Sequence, residues 1–302
     1  WLKAQILGSA CDCVDTAMVV VEQGSTSEVR ALVDEFRCAG KVGAAAAGSS
    51  DRGASSDLAS KEWGVHVCVR VRPEASFALE DADCASALSC SGPCIVTHRP
   101  RRELRSRKLV LSNQEFNFGA VFDESVDNNK MYDQLGHAAC RWLALGGCVS
   151  IVAYGQTSAG KTHIVGGLWE RMPADIFSAL ASVGVPNAQI SCMMVELRGN
   201  KCFDLLSDLR EAEMYEDRDG KIHLKGAETY PVASADELRT LLARATALRG
   251  TAITEHKEQS SRSHALYRFI ITTEGAPESS AQRVLAGLTV VDLAGSERAS
   301  ER

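Results

Sequence analysis

One unbroken run, Gly155-Gln156-Thr157-Ser158-Ala159-Gly160-Lys161-Thr162, has the residue types and spacing to hold a phosphate chain, fitting Gly-x-x-x-x-Gly-Lys-[Ser/Thr]. Glycines let the backbone curl until several N–H groups point at one anion, and a following helix adds its positive end. In such a loop the lysine, here Lys161, reaches the terminal phosphates, and the hydroxyl of Thr162 binds Mg2+. A chance glycine-rich turn would carry the same letters. Here, however, an apolar segment, residues 149–154, comes directly before the run, as a phosphate loop at a strand end requires. A second chemical signal is Asp292-Leu293-Ala294-Gly295, which follows the apolar residues 288–291. A carboxylate there holds Mg2+ through water, and the Gly295 N–H can meet a γ-phosphate. Alone this pattern is a plain turn; with a phosphate loop it points to nucleotide hydrolysis. The third signal is Ser260-Ser261-Arg262-Ser263-His264, hydroxyls around an arginine in a polar loop suited to phosphate and Mg2+. No Asn-Lys-x-Asp element that would read guanine is present, and the gap from Thr162 to Asp292 is too long for a compact GTPase.

These groups need a scaffold of buried strands with helices between them. Val65, Val67, Val69 and Val71 alternate with His66, Cys68, Arg70 and Arg72, the period of a strand, which Pro73 ends. Asn128 caps a helix carrying Tyr132, Leu135, Ala139 and Leu143, closed by Gly146-Gly147. Residues 149–154 read as a buried strand, 173–183 as a helix stopped by Gly184, and 190–197 as another strand. Ser234 and Glu237 form a capping box for a helix with Leu238, Leu241, Leu242, Ala245 and Leu248 on one face, ended by Gly250. Strands at 265–273 and 288–291 follow. The alternation predicts a layered α/β fold around a largely parallel central sheet. No internal repeat and no sustained heptad pattern appears.

Residues 1–63 differ in character. Val29, Leu32, Val33 and Phe36 recur at helical spacing, and a Gly/Ala/Ser-rich stretch over 40–60 reads as a flexible linker. The expected division is therefore an N-terminal extension, 1–63, and a catalytic domain, 64–302. Net charge is −6, which argues against a phosphate-backbone binder and so against nucleic acid as partner. Eleven cysteines without a Cys-x-x-Cys pair or zinc spacing read as free thiols, mostly small buried hydrophobes. The apolar stretch 17–21 is too short to span a bilayer, so no membrane insertion and a cytosolic location are expected.

From about Val65 onward the sequence resembles a kinesin motor domain, with the family's landmarks in order. They are Arg70-Val71-Arg72-Pro73, then Phe116-Asn117-Phe118 with Val121-Phe122-Asp123, then the phosphate loop and Glu196-Leu197 with Asp204-Leu205-Leu206. Ser260 to His264 is similar to switch I, and Asp292-Leu293-Ala294-Gly295-Ser296-Glu297-Arg298 to switch II. The resemblance implies a P-loop layered α/β/α motor fold, mostly parallel in its sheet and incomplete at its C-terminus. It also implies an ATPase that uses ATP and Mg2+ to move on, or depolymerise, microtubules (tubulin) in the cytoplasmic cytoskeleton. Expected nucleotide contacts are Arg70, Arg72, Pro73, Gly155, Gln156, Thr157, Ser158, Ala159, Gly160, Lys161, Thr162 and His163; Mg2+ falls to Thr162, Ser261 and, through water, Asp292. The implied catalytic set is Lys161, Ser261, Arg262, Gly295 and Glu297, with Arg262 and Glu297 pairing as the switches close. Val33-Asp34-Glu35-Phe36-Arg37 before the motor, His98-Arg99-Pro100 leading to Asn113-Gln114-Glu115-Phe116, and Tyr215-Glu216-Asp217 resemble the internal-motor subfamily, although Glu103-Leu104-Arg105 stands near that group's Lys-Val-Asp tip.

Three departures bear on activity. Ser158 replaces a usual glycine, Ile164-Val165 stands where Thr-Met is general, and Lys257 occupies an asparagine position before switch I. The alternative expectation is a degenerate kinesin that holds nucleotide or tubulin with little turnover.

Overall fold

The computed structural model describes residues 31, 34–36, 65–73, 88–183, 188–218, 220, 222–255, 262–273 and 283–296. They fall into two units, Trp1–Asp127 and Asn128–Arg302.

In the first unit, β1 (Cys68–Arg70) pairs in parallel with β5 (Ala120–Phe122). The expected valine strand is therefore short: Val65 and Val67 are exposed, and the paired register runs from Cys68 to Arg70, with Gly119 N donating to Val67 O at 2.9 Å just before it. β2 (Leu88–Ser91), β3 (Cys94–Arg102) and β4 (Leu109–Asn117) form an antiparallel meander. Val71, Leu88 and Ile95, with Phe116, Phe118 and Val121 against them, make the unit's apolar cluster. Sequence periodicity hides this meander because most of β4 is exposed and β3 contains Pro100. Past Thr97, β3 has β4 alone beside it among the described residues, where a proline is tolerated. Of the expected N-terminal helix, Ala31, Asp34, Glu35 and Phe36 are helical, and the Phe36 ring lies 4.7 Å from that of His98; Val29, Leu32, Val33 and the linker at 40–60 lie outside the described residues.

The second unit runs α1 (Asn128–Ala144), β6 (Cys148–Ala153), α2 (Lys161–Val183), β7 (Gln189–Arg198), β8 (Lys201–Asp204), β9 (Arg210–Glu216), β10 (Ile222–Lys225), β11 (Tyr230–Val232), α3 (Ala235–Glu255), β12 (Ser263–Thr273) and β13 (Arg283–Asp292). Its sheet has the order β10-β9-β8-β7-β12-β13-β6, with β11 also on β7. The sheet is mixed, which corrects the mostly parallel expectation. Only β13 and β6 pair in parallel among its described strands, and the rest are antiparallel. The reason is connection length: β7, β8 and β9 follow one another through turns far too short for a parallel crossover.

All three helices pack on one face of this sheet, in a single cluster with Tyr132 and Leu143 of α1, Leu168, Met172 and Ile176 of α2, and Leu238, Leu242 and Ala245 of α3. Handedness explains this. The β6–α2–β7 and β11–α3–β12 crossovers join parallel strands, move in opposite directions along the sheet and start from oppositely directed strands. Right-handed connections then place both helices on the same face. The described residues of this unit thus show two layers where three were expected.

Several boundaries differ from expectation. α2 begins at Lys161 and passes through Pro173; burial of Leu168, Met172 and Ile176 outweighs the one backbone bond a proline forfeits. α3 continues past Gly250 to Glu255, since an interior glycine costs a helix only about 1 kcal/mol. Its capping box is present, with Glu237 N donating to Ser234 Oγ at 3.2 Å and Ala233 N to Glu237 Oε2 at 2.7 Å. β6 alternates exposed and half-buried residues, so it is not the buried strand expected: the parallel partner β13 covers one edge, and β6 ends the strand order. The described cysteines are all free thiols; Cys94, Cys140, Cys192 and Cys202 are buried as small hydrophobes.

Gly136 fixes how tightly α1 can be built. A Cβ there would sit 2.3 Å from the Tyr132 ring, which is fully buried with its hydroxyl donating to Asp175 Oδ2 at 2.8 Å. Helix propensity favours alanine over glycine by about 1 kcal/mol, but overpacking a core position costs about 1–3 kcal/mol. Gly136→Ala is therefore expected to destabilise the chain, measured as a lower urea midpoint; an unchanged or higher midpoint would show that propensity wins.

Candidate functional site

The register of β13 on β6 brings the two chemical strand ends together. Asp292, the last residue of β13, lies opposite Ala153, the last residue of β6, so the loop 155–160 and the Asp292 segment leave the sheet side by side. Backbone bonds stitch them: Leu293 N donates to Ala153 O at 3.2 Å, and Ser296 N donates to Gly155 O at 3.1 Å. Ala294 N donates to His264 Nδ1 at 3.0 Å, which adds the start of β12.

Within the loop, Gly155 and Gly160 have φ of 151° and 94°, values that L side chains seldom adopt. Ser158 has φ 67°, so the position that departs from the family glycine is held in the left-handed region. Lys161 opens α2 nearly buried, and its Nζ donates to the carbonyls of Gly155 at 2.9 Å and Gln156 at 2.6 Å. Its ammonium is thereby poised over the concave loop. Gln156 and Ala159 are half-buried, and Thr157, Ser158 and Thr162 are exposed. The exposed His163 is turned toward α1, where Asn128 Nδ2 lies 3.3 Å from its ring Nε2.

Thr162 Oγ1 donates to Asp292 Oδ2 at 2.7 Å, joining residues predicted to share one Mg2+. The same Oδ2 accepts from Arg249 Nη1 of α3, a residue the sequence analysis did not select. Arg249 Nη2 also donates to Ser263 O at 3.4 Å, and Arg249 Nε lies 3.9 Å from Glu196 Oε1. Glu196 Oε2 accepts from Arg198 Nη2 at 2.6 Å, completing a line of alternating charges, Asp292–Arg249–Glu196–Arg198. Burial pulls the Arg249 pKa down, but the adjacent Asp292 carboxylate more than reverses this, leaving it above its ordinary value. Burial likewise pushes the Tyr267 phenol up, with Asp292 adding to the shift against Arg249. One signal could have found Arg249: it continues the spacing of Leu238, Leu242 and Ala245, a charge on the apolar face of α3.

Gly295 follows β13 half-buried, and the exposed Arg262 directly precedes β12. Ser260, Ser261, Lys257, Glu297 and Arg298 lie outside the described residues, and with them the expected Arg262–Glu297 pair. Arg70, Arg72 and Pro73 belong to the first unit, where the guanidinium of Arg70 donates to Val126 O at 3.2 Å.

The residues present fit a Mg2+-bound nucleotide. The loop bends where glycine is needed, a hydroxyl and a carboxylate converge, and Asp292 Oδ1 is buried without a hydrogen-bond partner among the described residues.

Comparison with known proteins agrees. A family model described as Kinesin motor domain matches residues 70–302. The kinesin-like protein KIN-13B of Arabidopsis thaliana is 31% identical over 211 residues, 69% of this chain, and the chain spans 31% of that relative's length. The solved structure of a fast kinesin, described for its ATPase mechanism and interactions with microtubules, superposes with a TM-score of 0.63 at 22% identity, covering 78% of this chain and 67% of that one. This last likeness shows the fold, an α/β architecture with a central mixed sheet.

A left-handed serine is strained by about 1–2 kcal/mol, while glycine costs about 0.5–1 kcal/mol in chain entropy. Ser158→Gly is expected to raise stability by a net of up to about 1 kcal/mol in urea unfolding. A fall in the midpoint would mean that contacts of the serine outweigh its strain.

Proposed function

Because the chain belongs to the kinesin motor-domain family, we propose that it binds Mg·ATP and hydrolyses it to drive movement on, or depolymerisation of, microtubules. The observation that carries this reading is the contact of Thr162 with Asp292 beneath a glycine-bent loop ending in Lys161. Motifs 130 residues apart converge there, as phosphoryl transfer to water requires. Mg2+, when bound, neutralises charge that develops on the transferred phosphoryl group. Lys161, bonded here to the Gly155 and Gln156 carbonyls, would reach the terminal phosphates, the Thr162 hydroxyl would hold Mg2+, and the Asp292 carboxylate would hold it through water. Ser261 helps to hold the metal and γ-phosphate. Gly295 senses the γ-phosphate through its backbone N–H, and Arg262 with Glu297 positions the attacking water. Arg70, Arg72 and Pro73 enter the proposal as base contacts through the family pattern alone, as does a motor domain beginning at residue 64 behind an N-terminal extension.

Similarity to KIN-13B, with the neck-like Val33 to Arg37 segment, supports the internal-motor branch and hence depolymerisation. The partner is tubulin and the location the microtubule cytoskeleton. Among the described residues no helix is long and apolar enough to cross a membrane.

Turnover of Mg·ATP with and without microtubules, beside Lys161→Ala, tests the reading. Turnover that rises with microtubules and disappears in the variant is expected. Losing the ammonium removes a charged hydrogen bond and should weaken nucleotide binding by roughly 10- to 100-fold. Binding of ATP unaffected by the substitution would sink the proposed site, and Lys161-dependent binding without turnover would turn the reading to a nucleotide-holding module.

A further inference from the structure

We propose that the turn joining β3 to β4 is a membrane-contact tip, which sets Leu104 into an anionic phospholipid surface and surrounds it with arginine and lysine. The contact is a peripheral one made by a loop, not a membrane-spanning segment, and it stands whether or not the chain turns over ATP.

Three observations carry it. The first is charge. Between His98 and Leu109 the ribbon carries Arg99, Arg101, Arg102, Arg105, Arg107 and Lys108 against one carboxylate, Glu103, a net of +5. The whole chain is at −6, so the other residues carry −11 and the sign reverses locally. The one carboxylate is engaged by a neutral group, since Ser106 Oγ donates to Glu103 Oε2 at 2.6 Å. Among the described residues, the side chains of Arg101, Arg105, Arg107 and Lys108 have no ion-pair partner.

The second is the apex. Leu104 is 100% exposed, and the turn around it is closed by its own hydrogen bonds. Glu103 N donates to Lys108 O at 3.0 Å and Arg107 N to Glu103 O at 2.9 Å. Lys108 N donates to Ser106 Oγ at 3.1 Å, and Arg102 Nη1 to Arg107 O at 3.2 Å. Arg107 completes the turn in the left-handed region, at φ 55°. A leucine held out by a preformed turn gains from burial only when a partner brings an apolar phase to it.

The third is shape, which chooses among partners. β2 stops pairing at Thr97, and beyond it β3 and β4 form a two-stranded ribbon among the described residues. Strand alternation puts Arg99 and Arg101 on one face and Arg102 on the other. Cations spread around a convex tip meet a plane of charge better than they line a groove for one extended chain. The outer edge of β3 also lacks a donor at Pro100, which works against an acidic peptide adding as a strand. Such a peptide would satisfy the arginines and leave Leu104 wet. An anionic bilayer takes both, offering headgroups to the cations and the acyl boundary to the leucine.

The experiment floats the full chain with vesicles on a density gradient, which separates bound protein from aggregate. The vesicles are phosphatidylcholine alone or an equal mixture of phosphatidylcholine and phosphatidylserine. The proteins are wild type, Leu104→Asn, Leu104→Trp and Arg105→Gln/Lys108→Gln, each checked by a thermal melt. Lys201→Gln/Lys225→Gln, exposed lysines of β8 and β10, serves as the charge-matched control. Wild type is expected to float with the mixed vesicles alone and to lose binding as NaCl is raised. Leu104→Asn should weaken binding roughly tenfold, the worth of one leucine moved out of water. Arg105→Gln/Lys108→Gln should weaken it roughly 30-fold, at about fivefold for each cation. Leu104→Trp should bind as wild type does and shift its emission to the blue on the vesicle. The control should stay within about twofold of wild type.

Wild-type protein that does not float with the mixed vesicles overturns the proposal. An equal loss in the control does so too, because net charge would then be the cause. Binding unchanged in Leu104→Asn, and displaced by soluble polyglutamate, would assign the tip to an acidic polypeptide instead. If a hairpin variant does not melt cooperatively, Leu104→Trp decides: bound protein without a blue shift sinks the idea. Nucleotide binding through Lys161 is tested separately and is untouched by any of these outcomes.

Discussion

A carboxylate that is 1% exposed needs donors aimed at it to offset its lost hydration, and Asp292 is such a group. Its two donors come from different helices, Thr162 at the start of α2 and Arg249 near the end of α3. Both helices must therefore lie on one face of the sheet, and the handedness of their crossovers puts them there. β13 must also end level with β6, which the parallel register ending at Asp292 and Ala153 provides. Breaking a buried pair by removing one partner typically costs about 3–5 kcal/mol, enough to make this carboxylate a determinant of the second unit's stability as well as of its chemistry.

The phosphate loop answers a different constraint, that of backbone rotation. Gly155 and Gly160 take conformations open to glycine, and the chain forces Ser158 into the left-handed region between them. Ends pinned by bonds from Ala159 N to Gln156 O, Ile164 N to Gly160 O and Ser296 N to Gly155 O leave the serine little choice. Strain held at a functional loop by its surroundings is common where a binding geometry must exist before the ligand arrives. The chain thus keeps the loop's shape while losing the residue that usually makes it easy.

Charge is arranged with the same economy. Asp292, Arg249, Glu196 and Arg198 alternate in sign across β13, α3 and β7, so the network is neutral even though its inner members are buried. Tyr267 packs beside it from β12 and against Trp169 of α2, at 5.0 Å between ring centres. Polar network and aromatic core meet at the strand ends, where a shift in one is felt by the other. The Ser263 carbonyl and the His264 ring, each bonded into this junction, connect it to the serine-rich loop.

Motif chemistry was legible before any coordinates. A glycine-lysine-threonine loop after an apolar run, and a carboxylate after another, follow from what phosphate and Mg2+ demand of neighbouring residues; α1 and α3 were visible in their periodicity, and α2 only in its second half, 173–183. The meander of β2, β3 and β4 was not, because β4 is mostly exposed and leaves little alternation to read. Strand direction was not legible either: an apolar run looks the same whichever way its neighbour runs, and the sheet is mixed because β12 runs antiparallel to both β7 and β13 as well as through the short turns among β7, β8 and β9. Arg249 was hidden for a related reason. Its 43-residue separation from Asp292 carries no local signal, and only the packing of α3 across the sheet brings the two charges into contact. By itself, then, the sequence determined which groups could bind phosphate and metal, since that is a matter of residue type and local spacing. Tertiary structure decided which of them meet and what holds them there, because burial and long-range pairing depend on how separate segments fill the same space.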